Sequence, residues 1–132
     1  MIESLRLYKR EKLCSLTAIN TLFTRGESSM TVVYPIRAVW RRNENRNGST
    51  QFLISVPKKK IRSAVDRVTI RRRVREAYRL NRSHLVLQDG FGPLDIAFIY
   101  LSDSNSSYSA IEKAIIKVLQ KISERMEFMP QE

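Results

Sequence analysis

Between Lys58 and Arg82 the chain reads KKKIRSAVDRVTIRRRVREAYRLNR, and eleven of these twenty-five residues are Lys or Arg. Only Asp66 and Glu76 offset them, so this window holds +9 of a formal net charge of +11. Unpaired cations are too costly to desolvate to lie in a core, so the segment must face water. Yet Ile70, Val74 and Ala77 recur within it at helical spacing and call for burial on one side. An amphipathic helix meets both demands, opening at Ser63 or Ala64 and reaching about Asn81. On it Arg67, Arg71, Arg75 and Arg79 form a slowly rotating ridge, with Arg72 alongside and Arg73 pointing elsewhere.

Arginines stacked at i and i+4 repel one another by about 0.2–0.5 kcal/mol per pair without a counter-charge. The ridge repeats that cost and uses Arg, never Lys, at each position. A guanidinium clamps phosphate with two donors, whereas Lys acts as a point charge. The partner implied is a polyanion, nucleic acid before an acidic membrane, because the basic stripe carries no Trp, Phe or Leu for lipid. A helix that reads duplex DNA mixes Asn, Gln and Arg to reach base edges. This one is nearly pure Arg, which suits backbone and shape, and hence structured RNA.

A chain of 132 residues with 42% hydrophobic content supports one domain. The single cysteine, Cys14, forms no internal disulfide and builds no cysteine zinc site. With no signal peptide recognised, the expected compartment is the cytoplasm. No apolar run approaches a membrane span.

Leu16, Ile19, Leu22 and Phe23 place a short helix over 15–24, capped by Ser15 or Thr17 and ended by Gly26. Residues 31–41 (TVVYPIRAVWR) read as strand, with Pro35 forcing a bulge, an edge or a division into two. The polar stretch 43–50 contains Asn47-Gly48, and Phe52 to Val56 returns as strand, so a hairpin is predicted. After the basic helix, residues 89–93 form a break and 95–101 (DIAFIYL) a buried strand. Ser109 and Glu112 resemble a capping box. Ile111, Ile115, Val118, Leu119, Ile122 and Met126 supply the core stripe of a last helix, and 127–132 is expected to be a disordered tail. The predicted class is α+β in the order α-β-β-α-β-α, a single domain over 1–132.

The stretch FLISVPKKKIRSAVDRVTIRRRVRE resembles the bacterial ribonuclease P protein family. That family carries a strand ending Ser-Val-x-Lys-Lys, then Ala-Val, then a helix of the form R-N-R-x-K-R-x-x-R-E. Ser55-Val56-Pro57-Lys58-Lys59 and Ala64-Val65 match, as do Arg67, Arg72, Arg75 and Glu76, with Arg71 at the usual Lys position. Leu13 and Phe23-Thr24-Arg25-Gly26 match the family's opening, so the likeness spans nearly the whole chain. Val68 and Thr69 stand where the family has Asn and Arg, and Ile19 where it has an aromatic.

The resemblance implies a fold like domain 2 of ribosomal protein S5, two-layered, with a left-handed β-α-β crossover. It implies a catalytic RNA partner, one protein per RNA, that removes the 5′ leader of precursor tRNA using Mg2+ bound through the RNA. It places Lys58, Lys59, Lys60, Arg62, Arg67, Arg71, Arg72, Arg75 and Arg79 on that RNA. It also implies a leader cleft between the first helix and the sheet, with candidates Ile19, Phe23, Tyr34, Arg37 and Phe52. Aromatic floors stack on bases without sequence preference, and basic walls follow phosphates. An aromatic at such spacing also serves a core, and for Phe23 and Phe52 both roles stay open. Trp40 reads as packing or hairpin surface.

No catalytic or metal-binding set is expected in the protein itself. His84 is the sole histidine, and Asp66, Glu76, Asp89, Asp95 and Asp103 lack paired spacing. Glu76 reads as a helix partner for Arg72 and Arg79. The rival readings are a ribosomal-type RNA-binding protein with no part in cleavage, and a DNA-binding helical module.

Overall fold

Pro35 divides the first long apolar segment into two strands rather than bending one. In a computed structural model, described over residues 11–24, 28–43, 50–85 and 93–127, β1 (Ser29–Val33) and β2 (Ile36–Arg42) pair antiparallel across a Tyr34-Pro35 turn with a cis peptide bond. The elements run α1 (Leu16–Leu22), β1, β2, β3 (Gln51–Ser55), α2 (Ala64–Asn81), β4 (Leu94–Tyr100) and α3 (Tyr108–Glu127), with a 3-10 turn at Arg82–His84 after α2. The predicted order therefore holds, with its first strand split.

The expected hairpin across Asn47-Gly48 is not formed. The sheet order is β1-β2-β4-β3: β4 inserts between β2 and β3, antiparallel to the first and parallel to the second. Two edge strands therefore replace one hairpin. The β3–α2–β4 crossover joins neighbouring parallel strands, as a strand–helix–strand unit requires. Residues 44–49, Gly26, the break at 89–92 and the tail beyond Glu127 lie outside the described residues.

Each helix starts where a serine can cap it. Ser15 accepts from the Ala18 N–H and Ser63 from the Asp66 N–H. For α3 the cap is Ser107, which accepts from the Ala110 N–H, and not Ser109. Glu112 instead accepts from the Tyr108 hydroxyl and from Asn81 of α2, tying the two long helices together.

The pleat sorts the sheet into two faces. Ile36, Ala38 and Trp40 of β2, Phe52 and Ile54 of β3, and Ile96, Phe98 and Tyr100 of β4 face α2 and α3. There they meet Ile70, Val74, Ala77 and Tyr78, together with the predicted stripe from Ile111 to Ile122. At the centre the rings of Phe52, Tyr78 and Phe98 pack with centroids 4.6, 5.5 and 6.4 Å apart. Such pairs add about 0.5–1.5 kcal/mol each beyond their burial. The opposite face carries Val39 and Ala97 with Leu53 and Ile99, covered in part by Leu13, Ala18, Ile19 and Leu22. β4 is thus covered on both faces, which explains its apolar run from Ile96 to Tyr100, with Asp95 the one charged residue of the strand.

Trp40 is a core residue, 1% exposed, with the Arg125 guanidinium 5.5 Å from its ring centroid. Arg125 also donates to the Met30 carbonyl, so α3 holds the outer strand β1 to the body of the fold.

Candidate nucleic-acid interface

The arginines of α2 divide by what they touch. Arg67 at the first turn donates to the carbonyls of Ile61 (2.9 Å) and Arg62 (2.8 Å), bracing the loop that enters the helix. Arg73 donates to the Ser106 carbonyl, and Arg82 pairs with Glu11. Arg79 donates through two nitrogens to the Glu76 carboxylate. That hydrogen bonding holds the Glu76 carboxyl below its ordinary range and raises Arg79. Of the two partners expected for Glu76, the structure joins it to Arg79.

Arg71, Arg72 and Arg75 stand exposed, with no carboxylate or hydrogen-bond partner among the described residues. So do Lys58, Lys59, Lys60 and Arg62 of the preceding loop. The ridge of four predicted from periodicity is therefore a free centre, Arg71 and Arg75, between two engaged ends. Physically, Arg67 lies at the border of the buried side, where backbone carbonyls come within reach. Arg79 has an acidic neighbour one turn away. Val65 and Val68 are also exposed, at 74% and 49%, so the outer surface of α2 mixes methyl groups with guanidinium.

On the sheet face beside α1, strand register sets Val32, Arg37, Ile99 and Ser55 in one row and Met30, Val39, Ala97 and Leu53 in the next. Ile19 is half-buried against this face, and Phe23 caps α1 with 49% of its surface exposed. Tyr34 projects from the β1–β2 turn at 68% exposure, and Arg37 is exposed, with its Nε 2.9 Å from the Met30 sulfur. Four of the five predicted cleft residues thus stand on or beside this face.

Phe52 does not. It is 6% exposed, and its ring packs against Tyr78 and Phe98 on the opposite face. On β3 it is the neighbouring Leu53 that packs on the α1 side of the sheet. Sequence reasoning missed Leu53, Ile99 and Val39. The signal available was strand alternation, but 52–54 reads Phe-Leu-Ile, and a strand apolar on both sides leaves parity undetermined.

Two further groups titrate away from their ordinary values. Burial first, then the Glu11 charge, pushes the Tyr78 hydroxyl up to about 12. Desolvation and the hydrogen bond to Glu112 push Tyr108 up to about 12. Tyr78 packs between the helices and the sheet, while Tyr108 hydrogen-bonds within the helical layer. Asp66 and Asp103, distant in sequence, line one cavity of about 510 Å3 with Lys60 and Arg62. Among the described residues no three His, Cys, Asp or Glu side chains gather to hold a metal ion. No helix there is long and apolar enough to cross a membrane.

A basic α+β domain emerges, with one strongly cationic helix face and a separate apolar, aromatic-edged sheet face, the arrangement of a protein that handles nucleic acid. A family model described as Ribonuclease P matches residues 7–123. A protein of Porphyromonas gingivalis named ribonuclease P protein component is 42% identical over 120 residues, spanning 89% of this chain and 86% of its own. The chain belongs to the ribonuclease P protein family. Solved structures of the ribonuclease P proteins of Staphylococcus aureus and Thermotoga maritima share the fold. The first has TM-score 0.67 and 18% identity, covering 86% of this chain and 95% of that one. The second has TM-score 0.68 and 19% identity, covering 85% and 97%.

Proposed function

We propose that the protein is the RNA-binding subunit of a ribonuclease P whose catalyst is RNA. In this reading it anchors to that RNA and holds the 5′ leader of precursor tRNA during cleavage. The observation that carries it is the separation of two unlike surfaces on one sheet-based body. Arg71, Arg72 and Arg75 with the Lys58–Arg62 loop are free to meet phosphate. Phe23, Tyr34, Val32 and Ile99, with Arg37 among them, offer stacking surface and one cation to a single strand.

The division of labour follows from charge and shape. The cationic face neutralises phosphates of the catalytic RNA and releases their counterions, which eases uptake of magnesium by that RNA. Hydrolysis of the phosphodiester belongs to the RNA and its Mg2+, and the protein side chains bind and orient. A leader held on the sheet face adds affinity that mature tRNA lacks, so the protein favours precursor over product. One protein per RNA, working in the cytoplasm, completes the reading.

Reconstitution with a ribonuclease P RNA at low magnesium tests this. The protein should raise precursor-tRNA cleavage. Replacing Arg71, Arg72 and Arg75 by Ala should weaken assembly, while replacing Phe23 and Tyr34 should mainly lose precursor-over-mature discrimination. No gain in cleavage would leave a ribosomal-type RNA-binding protein, and preference for duplex DNA would favour a DNA-binding module. The same defect from both sets of substitutions would refute the two-surface reading.

A further inference from the structure

Between the segment before α1, strand β3 and helix α2 lies a slot of about 190 Å3, lined by Leu13, Cys14, Leu53, Ile54, Arg71 and Arg75 among others. We propose that this slot takes one unstacked ribonucleotide, its base against Leu13, Leu53 and Ile54 and its phosphate on Arg71, Arg75 and the adjoining Lys12. The inference rests on the reading that the protein binds RNA, and it adds a site between the two surfaces described above.

Size selects the ligand class. An apolar cavity of about 150 Å3 admits a benzene ring, and a slot of 190 Å3 is somewhat larger. Sites for drug-sized ligands begin near roughly 300 Å3, so one ring system fits here and a stacked pair does not. The walls are held by backbone. The Leu13 N–H donates to the Phe52 carbonyl at 2.9 Å, and Lys12 and Phe52 form a parallel bridge that pins the segment against edge strand β3.

Charge selects the ligand's sign. Arg71 and Arg75 are one turn apart, so each raises the cost of the other. Unlike Arg67 and Arg79, neither meets an oxygen of the protein among the described residues. An anion attached to a flat apolar body satisfies both demands, and guanidinium planes also stack on bases. Leu53 belongs to the slot and to the apolar sheet face alike. A strand passing from one surface to the other would cross this point.

The nucleotide can come from the catalytic RNA or from the leader of the precursor, and Cys14 distinguishes them. It is the chain's single cysteine and stands exposed at the slot, which makes it a reporter. Its alkylation by iodoacetamide would be followed on the full-length protein with catalytic RNA, precursor tRNA or mature tRNA. With RNA at ten times its Kd, the RNA that fills the slot should slow the reaction on the order of tenfold. Thiouridine placed in the same RNA should crosslink to peptides containing Leu13 or Leu53. Protection by catalytic RNA assigns the nucleotide to it, and protection by precursor but not mature tRNA assigns it to the leader. Unchanged Cys14 reactivity in complexes verified by gel shift overturns the slot and leaves the functional reading intact. Crosslinks confined to Arg72 and the Lys58–Arg62 loop also overturn it, since shielding from outside then explains the protection. Failure to form any complex overturns the functional reading itself.

Discussion

If the proposed function holds, salt dependence should separate cations that meet RNA phosphate from cations that build the protein. Seven in the basic segment are exposed and without a partner among the described residues: Lys58, Lys59, Lys60, Arg62, Arg71, Arg72 and Arg75. Arg67, Arg73, Arg79 and Arg82 are spent on carbonyls and carboxylates of the chain. If all seven meet phosphate, log affinity falls with log salt at a slope of about −5 to −6, from about 0.7–0.9 per contact. From sequence alone about six contacts and a slope near −4 to −5 are expected. Replacing Arg71, Arg72 and Arg75 by Ala should make the slope shallower by about 2–3 and weaken binding at least about a hundredfold at 0.1 M salt. Arg67→Ala should leave the slope unchanged while costing about 1–2 kcal/mol of stability, allowing for its partial exposure. That loss corresponds to a Tm lower by a few degrees. Fluorescence anisotropy of a labelled ribonuclease P RNA over roughly 50–200 mM salt, with thermal unfolding of each variant, measures both quantities. A slope unmoved by the triple substitution, or moved as much by Arg67→Ala as by one of the exposed arginines, refutes the division.

Glu76→Gln should free Arg79 for phosphate and steepen the salt slope by about 0.7–0.9, read in the same titration; an unchanged slope would show that Arg79 lies off the interface. Phe52→Ala should destabilise by about 3–5 kcal/mol in a denaturant titration, as loss of a core aromatic does. Leu53→Ala should instead act on precursor-over-mature discrimination, and equal effects of the two would contradict the assigned faces. The Tyr78 hydroxyl, about 12 when folded against an ordinary 10.0, keeps its proton in the native state over a window where the unfolded chain loses it. Stability should therefore be intact below pH 10 and fall between about pH 10 and 12, by about 1.4 kcal/mol per unit. Unfolding midpoints across that window should decline less in Tyr78→Phe, and an identical decline would remove Tyr78 as a cause.

Much of the site was legible because it depends on local period and charge. Helix α2 has the predicted limits, since Ser63 is a strong cap and the apolar positions Ile70, Val74 and Ala77 leave one orientation. Tyr78 joins that buried side without having been marked, because its ring reaches Phe52 and Phe98 across the layer. The capping box at Ser109 misleads by two residues, as Ser107 offers the same oxygen one position before the helix opens. The hairpin fails for a longer-range reason. Pairing of β2 with β3 would be local, but β4 is buried on both faces, apolar from Ile96 to Tyr100, and needs a neighbour on each edge and a layer on each side.

The amino-acid sequence by itself determined the arginine helix, its polyanionic partner class and the order of elements, because charge and periodicity act within one segment. Only the tertiary structure decided which arginines are free, since that depends on carbonyls of the preceding loop and of the 102–106 loop, and on Glu76 in the rotamer it adopts. It also decided that Leu53, not Phe52, lies on the sheet face beside α1. The parity of a strand apolar on both sides is set by the helices that cover it, and those arrive from elsewhere in the chain.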